Sequence, residues 1–406
     1  MKFKEPHAPR RVALAAGLCC GLATLAGHAG AAETASWEYV IVATSEQESL
    51  TPPMLSVAPN GALQVGFANF RRVNADPATA PWPRVVTGGV YLQELGGKRR
   101  LLAADTDPTP GQASRRLCFN FINGLCPPGT ARLSVDQGKV AFMASSTFEG
   151  QAAMSGIYLA DGVTAPRRVV DTTMAMPGGN GLNFASFGGL GLSLNRGRVA
   201  FYGDSGAASG SSPAWQGIFA DFGAGVQTVA TPGATMNFGW GAATSIVGFG
   251  GNLGLTTTLQ GADLLAFDAQ MHIGNTNNVR AVLERNPAAA PNVWTDVADS
   301  AVMFPFNATS FFLGSVDPSG RAAFRADTSG NPSLPSGIYL GPAPLVPVAT
   351  VNTPAGDGGT LGGFNFDPAV DLSPRGIGQT PRDRWVAFSA QSAAATSSSA
   401  SCTARR

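Results

Sequence analysis

The sequence predicts an all-β chain folded as a β-propeller, and three observations carry that expectation. The 406 residues include 51 Gly and 29 Pro, about a fifth of the chain, which favours many short elements joined by turns over long helices. Hydrophobic residues make up 44% and charged residues only 13%, enough apolar surface to bury a large core. A polar turn followed by an apolar strand ending in Phe recurs six times. The formal net charge of +1 supplies no field to draw nucleic acid or anionic lipid.

Residues 1–31 read as a secretory signal peptide. Lys2, Lys4, Arg10 and Arg11 form a basic region, Val12 to Ala26 an uncharged apolar stretch, and Ala29-Gly30-Ala31 a small-residue cleavage site. The apolar stretch is short of the roughly 20 residues that span a bilayer, so no integral membrane segment is expected after cleavage. A secreted or periplasmic location follows; Sec and twin-arginine export both remain open.

The closest repeats are Ser134-Val-Asp-Gln-Gly-Lys-Val-Ala-Phe142, Ser193-Leu-Asn-Arg-Gly-Arg-Val-Ala-Phe201 and Ser315-Val-Asp-Pro-Ser-Gly-Arg-Ala-Ala-Phe324, with looser copies ending at Phe67, Phe267 and Phe388. A second strand follows as Gly89 to Leu92, Gly156 to Leu159, Gly217 to Ala220 and Gly337 to Leu340, with 278–283 as the degenerate member. A third spans 99–104, 167–172, 226–231, 293–299 and 345–350. A fourth element carries paired aromatics: Phe119 and Phe121, Phe184 and Phe187, Phe238 and Trp240, Phe304 and Phe306, Phe364 and Phe366. Four short strands cannot bury both faces alone, so such units must stack on their neighbours.

Six four-stranded blades over residues 32–391 are expected, with the N-terminal strand 38–44 and the last Phe strand sharing the closing blade. Five blades or a β-sandwich are the alternatives. Residues 392–406, rich in Ser, Ala and Thr, read as a disordered tail. Cys118 and Cys126 flank Asn123-Gly124, a hairpin signal, and are expected to form a local disulfide that leaves Cys402 unpaired.

The unit from Val316 through Gly337-Ile-Tyr-Leu340 to Thr350 resembles the TolB-type propeller repeat, and is similar to secreted bacterial tandem repeats with an Asn, Gly and Ala-Phe signature. The resemblance implies a six-bladed, mostly non-catalytic domain that binds proteins or ligands on one face. The Pro of the turn stands in one close copy alone, as Pro318.

Catalytic constellations are few. His7 and His28 leave with the signal peptide, so His272 is the one mature histidine; it is expected to be solvated or hydrogen-bonded, and multi-His metal chemistry is excluded. Gly178 to Gly181 and Gly248 to Gly254 are turn glycines, not phosphate loops. Asp136 and Asp317 are expected to cap hairpins. Asp105 with Asp107, and Asp327 with Asn331, are expected in solvated loops, not as Ca²⁺ ligands, and no cofactor is called for. Paired carboxylates are the one enzymatic route left open.

The expected function is therefore a non-catalytic, monomeric propeller that binds a protein or surface glycan, with no catalytic residues assigned. The alternative is a carboxylate-dependent glycan-active hydrolase. Loops 180–191 and 239–254 are the expected recognition face, although core packing is the stronger reading for Phe184, Phe187, Phe238 and Trp240.

Overall fold

In the computed structural model, the described residues form six antiparallel sheets that succeed one another along the chain, and none of these residues is helical. The structure describes strands and most turns from residue 48 to residue 405. Residues 1–47, 51–53, 74–83, 120–132, 148–153, 188–190, 207–214, 239–243, 290–292, 301–307, 329–334, 355–359, 365–370, 373–384 and 393–398, with some single or paired positions, lie outside the described residues. The expected signal peptide, the expected strand 38–44 and Cys126 fall among these.

The first sheet holds β1 (Glu48–Leu50), β2 (Met54–Val57), β3 (Leu63–Val73), β4 (Arg84–Glu94) and β5 (Arg99–Ala104). The second holds β6 (Pro108–Thr109), β7 (Gln112–Cys118), β8 (Leu133–Asp136), β9 (Lys139–Thr147), β10 (Met154–Ala160) and β11 (Arg167–Asp171). The third is β12 (Leu192–Asn195), β13 (Arg198–Asp204), β14 (Gln216–Asp221) and β15 (Val226–Ala230). The fourth comprises β16 (Thr235–Met236), β17 (Thr244–Thr257), β18 (Asp263–Ile273), β19 (Thr276–Arg285) and β20 (Thr295–Asp299). The fifth is β21 (Ala308–Val316), β22 (Ala322–Thr328), β23 (Gly337–Gly341) and β24 (Val346–Thr350). The sixth is β25 (Leu361–Phe364), β26 (Asp371–Leu372), β27 (Trp385–Ser392) and β28 (Ser399–Arg405).

The leading strands stand side by side: β2 against β8, then β12, β17, β21 and β26 in turn. Meandering sheets whose first strands line up in this way are the blades of a propeller. The turn chemistry explains each leading hairpin. Gln137 and Gly138, and likewise Arg196 and Gly197, all take positive φ, as a two-residue hairpin loop requires. The Pro318 copy is one residue longer, and only Gly320 is left-handed there.

The recurring Phe is core in every sheet where its side chain is described. Phe67, Phe142, Phe201, Phe267 and Phe324 are buried, and each pairs across the ladder with a residue of the following strand: Tyr91, Tyr158, Phe219, Leu283 and Tyr339. Four of these are ring pairs with centroids 5.6 to 6.1 Å apart. In the fourth sheet Leu283 supplies no ring, and Trp294 meets Phe267 edge-on at 5.8 Å instead. Four of these Phe residues share a cluster with the preceding sheet: Phe142 with Val90 and Leu92, Phe201 with Ile157 and Leu159, Phe267 with Ile218 and Ala220, Phe324 with Ala266 and Val282.

Two expectations about strands need correction. The fourth strand of a blade is the Ser-containing segment before the turn (β8, β12), because the Asp-Gln-Gly-Lys and Asn-Arg-Gly-Arg turns close two-residue hairpins. The aromatics of the fourth element lie upstream of it and cover the Phe strand: Phe119 on Phe142 and Phe184 on Phe201, but Phe249 on Phe267 and Phe311 on Phe324 in sheets four and five. At the C-terminus, β28 pairs with β27 where a structureless tail was expected, and Cys402 stands opposite Phe388 as Tyr339 stands opposite Phe324. Ser, Thr and Ala satisfy a ladder through their backbones without an apolar period, which is why composition did not show this strand.

Polar side chains tie the first four sheets to one another. Gly138 N donates to Gln64 Oε1 (2.8 Å), Leu194 N to Ser134 Oγ (2.9 Å), Leu255 N to Ser193 Oγ (2.9 Å), and Thr257 Oγ1 to Asn195 Oδ1 (2.6 Å). Asp136 accepts from Arg196 N on the next sheet and so acts between blades, where a cap on its own hairpin was expected.

The glycine that opens the second strand has a steric cause. A Cβ on Gly89, Gly156 or Gly217 would stand 2.8 to 3.0 Å from the carbonyl oxygen of Ala103, Val170 or Ala230 on the outer strand, which bulges beside it. Replacing Gly217 by alanine is expected to cost about 1–3 kcal/mol, measured by denaturant unfolding; an unchanged midpoint would show that the outer strand yields freely.

Candidate functional site

The expected recognition loops are only partly loops. Of the stretch 239–254, residues 244–254 belong to β17 and 239–243 lie outside the described residues; the β17 glycines sit in an irregular strand because two register shifts, at 246–248 and 249–253, take up extra residues. Phe184 is core, with ring centroids 5.0 Å from Phe219 and 5.9 Å from Phe201; Phe187 and Phe238 pack against the same kind of cluster, and Trp240 lies outside the described residues.

Most described carboxylates are engaged in the scaffold. Asp317 caps its hairpin as expected, accepting from Ser319 N (2.7 Å) and Arg321 N (3.1 Å). Asp327 pairs with Arg325 Nε (2.8 Å), and Asp107 accepts from Ala104 N (2.7 Å); Asp105 and Asn331 lie outside the described residues. Asp221 bonds Arg167 Nη1 at 2.9 Å. Among the described residues, no group of three or more His, Cys, Asp or Glu could hold a metal ion. Cys118 is disulfide-bonded, at the end of β7.

The fourth sheet departs from the repeat. Glu284 stands where Leu92, Leu159 and Leu340 stand in sheets one, two and five, one residue past the cross-strand partner of the Phe. Asp268 follows Phe267 where Ala68, Met143, Tyr202 and Arg325 follow their Phe, so a carboxyl stands there in the fourth sheet alone of these five. Asp296 occupies the place of Arg168, so the Arg168–Asp171 ion pair of sheet two (2.9 Å) becomes an Asp296–Asp299 carboxyl pair. Burial pushes Asp268 up to about 7, against two Asn252 hydrogen bonds and the Arg280 charge. Burial, then Asp317, pushes Glu284 to about 8; burial, then Asp299, does the same to Asp296.

Asp268 lies under the irregular part of β17. Its carboxylate accepts from Asn252 N (2.8 Å) and Asn252 Nδ2 (2.7 Å), while Asn252 Oδ1 is buried without a partner. Gly250 covers the carboxylate: a Cβ there would stand 2.6 Å from Oδ2, yet Gly250 itself is exposed. Along β18, alternation places Leu265, Phe267, Ala269 and Met271 in the core toward sheet three. The opposite row runs from buried Asp268 through Gln270 to His272, both half-buried, with exposed Arg280 across from Gln270. One blade therefore carries a polar row leading from a buried carboxyl to the protein edge, and it includes His272.

Residues 57–248, from the first sheet into β17, match a family of unknown function, DUF7453. No curated protein matches the chain. Among solved structures, an α-L-arabinanase of Penicillium chrysogenum complexed with arabinobiose is similar at 14% identity and TM-score 0.36, over 84% of this chain and 88% of that one. A glycosyl hydrolase from Bacteroides ovatus is similar at 11% identity and TM-score 0.28, over 72% of this chain and 83% of that one. At these TM-scores neither carries weight for this chain, whose architecture rests on its own sheets.

From this row the sequence drew notice to His272 alone, and only as a solvated or hydrogen-bonded histidine. Asp268 and Glu284 were legible only as departures from the repeat, and the degenerate second strand of the fourth unit was the signal. Aligned on Phe267, it reads Ala281-Val-Leu-Glu284.

Proposed function

We propose that this protein is an exported, non-catalytic propeller that binds a surface glycan or protein partner at the edge of its fourth blade. The observation that carries this reading is the polar row of half-buried Gln270 and His272 with exposed Arg280, beside Asp268 and Asp317, which are bonded into the scaffold. Planar, amide and cationic groups side by side suit hydroxyl-rich or carboxylate-bearing partners. A glycan array with wild type and a His272→Ala/Arg280→Ala double variant tests it: captured ligands should be lost, at least tenfold in affinity, in the variant with unchanged melting. Equal capture by both would move the site elsewhere.

One observation favours the hydrolase reading. Asp268 is a carboxyl held near 7 beneath a single glycine, which is the property a general acid needs. Export with cleavage after Ala31, and pairing of Cys118 with Cys126, complete the proposal, with the TolB-type repeat as the reading of the motifs. N-terminal sequencing and mass mapping of a non-reduced digest read out both; an intact Met1 or Cys118 bonded elsewhere would refute them.

A further inference from the structure

The repeat places leucine at one buried position of the second strand in three sheets, and the fourth sheet places Glu284 there. Glu284 is buried on the face of the sheet that packs against sheet five, beside Ala266 and Val282, whose neighbours across the interface are Phe324, Ala322 and Tyr339. Its Oε1 has no hydrogen-bond partner. Across the interface, its electrostatic neighbour is Asp317 of the turn between β21 and β22, a carboxylate already held by Ser319 and Arg321 backbone donors.

The other charged groups of the packed elements can be placed one by one. Asp268 and Arg280 share the face of Glu284 on β18 and β19, and Arg321 follows Asp317 at the turn. Arg285, Asp296 and Asp299 belong to the opposite face, where Arg285 donates to Val229 O of sheet three. Asp263 is bonded to Arg198 of that same sheet. The residues of β21 and β22 that meet sheet four, Phe311, Leu313, Val316, Ala322, Phe324 and Ala326, are uncharged.

We propose that the seam between blades four and five is a pH-sensitive clasp, closed while Glu284 is a neutral acid in its apolar slot and loosened when it ionises against Asp317. An ionised carboxylate in such a slot is costly, and one facing a second carboxylate more so. Ionisation in place lies well above the ordinary glutamate range, so the clasp opens on the alkaline side of neutrality.

The test is the pH dependence of unfolding in the full chain, with Glu284→Leu restoring the repeat residue and Glu284→Gln as a neutral isostere. One proton held by the folded state alone makes the unfolding constant of the wild type rise about tenfold per pH unit from this group between pH 5 and 8. Both variants should lose that factor, with Asp268 and Asp296 contributing equally to all three proteins. Amide exchange, corrected for its intrinsic pH dependence, should show wild-type protection falling at β19 and at the turn between β21 and β22 above pH 8, and no such fall in the variants. If Glu284→Leu does not fold, Glu284→Gln alone decides. Equal slopes in wild type and variant, or loss of protection spread evenly over all sheets, would overturn the clasp.

Discussion

Replacing Phe201 by alanine is expected to cost about 3–5 kcal/mol of stability, the range for emptying a fully packed aromatic site. Phe201 is entirely buried and meets three rings: Phe184 at 5.9 Å, Phe187 at 5.8 Å and Phe219 at 5.7 Å. It also joins two sheets, since Ile157, Leu159 and Val170 of sheet two belong to the same cluster. The loss therefore falls on a blade and on its seam together. Guanidinium unfolding measures it, and a change below about 1 kcal/mol would mean that the cluster is not the packed core described here.

Raising the pH from about 5 to about 8 is expected to destabilise the wild type steeply. Asp268, Glu284 and Asp296 have folded-state values of about 7, 8 and 8, above their ordinary 3.8, 4.5 and 3.8. Between those limits the folded chain holds protons that the unfolded chain releases, so stability is fullest at the acid end and falls as pH rises through the folded-state values. Each carboxyl contributes a slope of about 1.4 kcal/mol per pH unit inside its window. Asp161 is lowered by bonds from Thr164 and Val163 and acts in the opposite sense, but only below about pH 4, outside this window. Melting temperatures at pH 5, 6, 7 and 8 check this; a flat or rising series would show that these three groups are ionised in the folded state.

The propeller was legible in the sequence because its blades repeat. The Phe that ends each turn-and-strand copy, the Gly opening the following strand in four units and the Asp or Asn of the closest turns recur at stable places, and each has a physical cause that sequence shows: ring stacking, a carbonyl in the way of Cβ, and a tight hairpin. The leading strand was missed because Leu133–Asp136 and Leu192–Asn195 are only four residues long and read as part of the turn. Phe249 and Phe311 were missed as the covering rings because glycine-rich β17 and the start of β21 hide their register behind bulges.

The candidate site was less legible for a related reason. His272 attracted notice as a rare residue type, whereas Asp268 and Glu284 are common types whose meaning lies in what they replace. Only the ladder, which sets Glu284 opposite Ala266 and Asp268 opposite Val282, shows that both buried carboxyls face apolar partners. The Asn252 bonds that hold Asp268 depend on two extra residues in β17, a detail of register that composition does not encode.

The reading of this propeller as a binder, not a catalyst, is tested most directly by turnover. Wild type and Asp268→Asn should be compared on a panel of polysaccharides and aryl glycosides, with melting curves recorded for both. Neither protein is expected to release product above the uncatalysed background. Product release by the wild type that disappears in Asp268→Asn, with melting unchanged, would contradict it and make Asp268 the acid of a hydrolase.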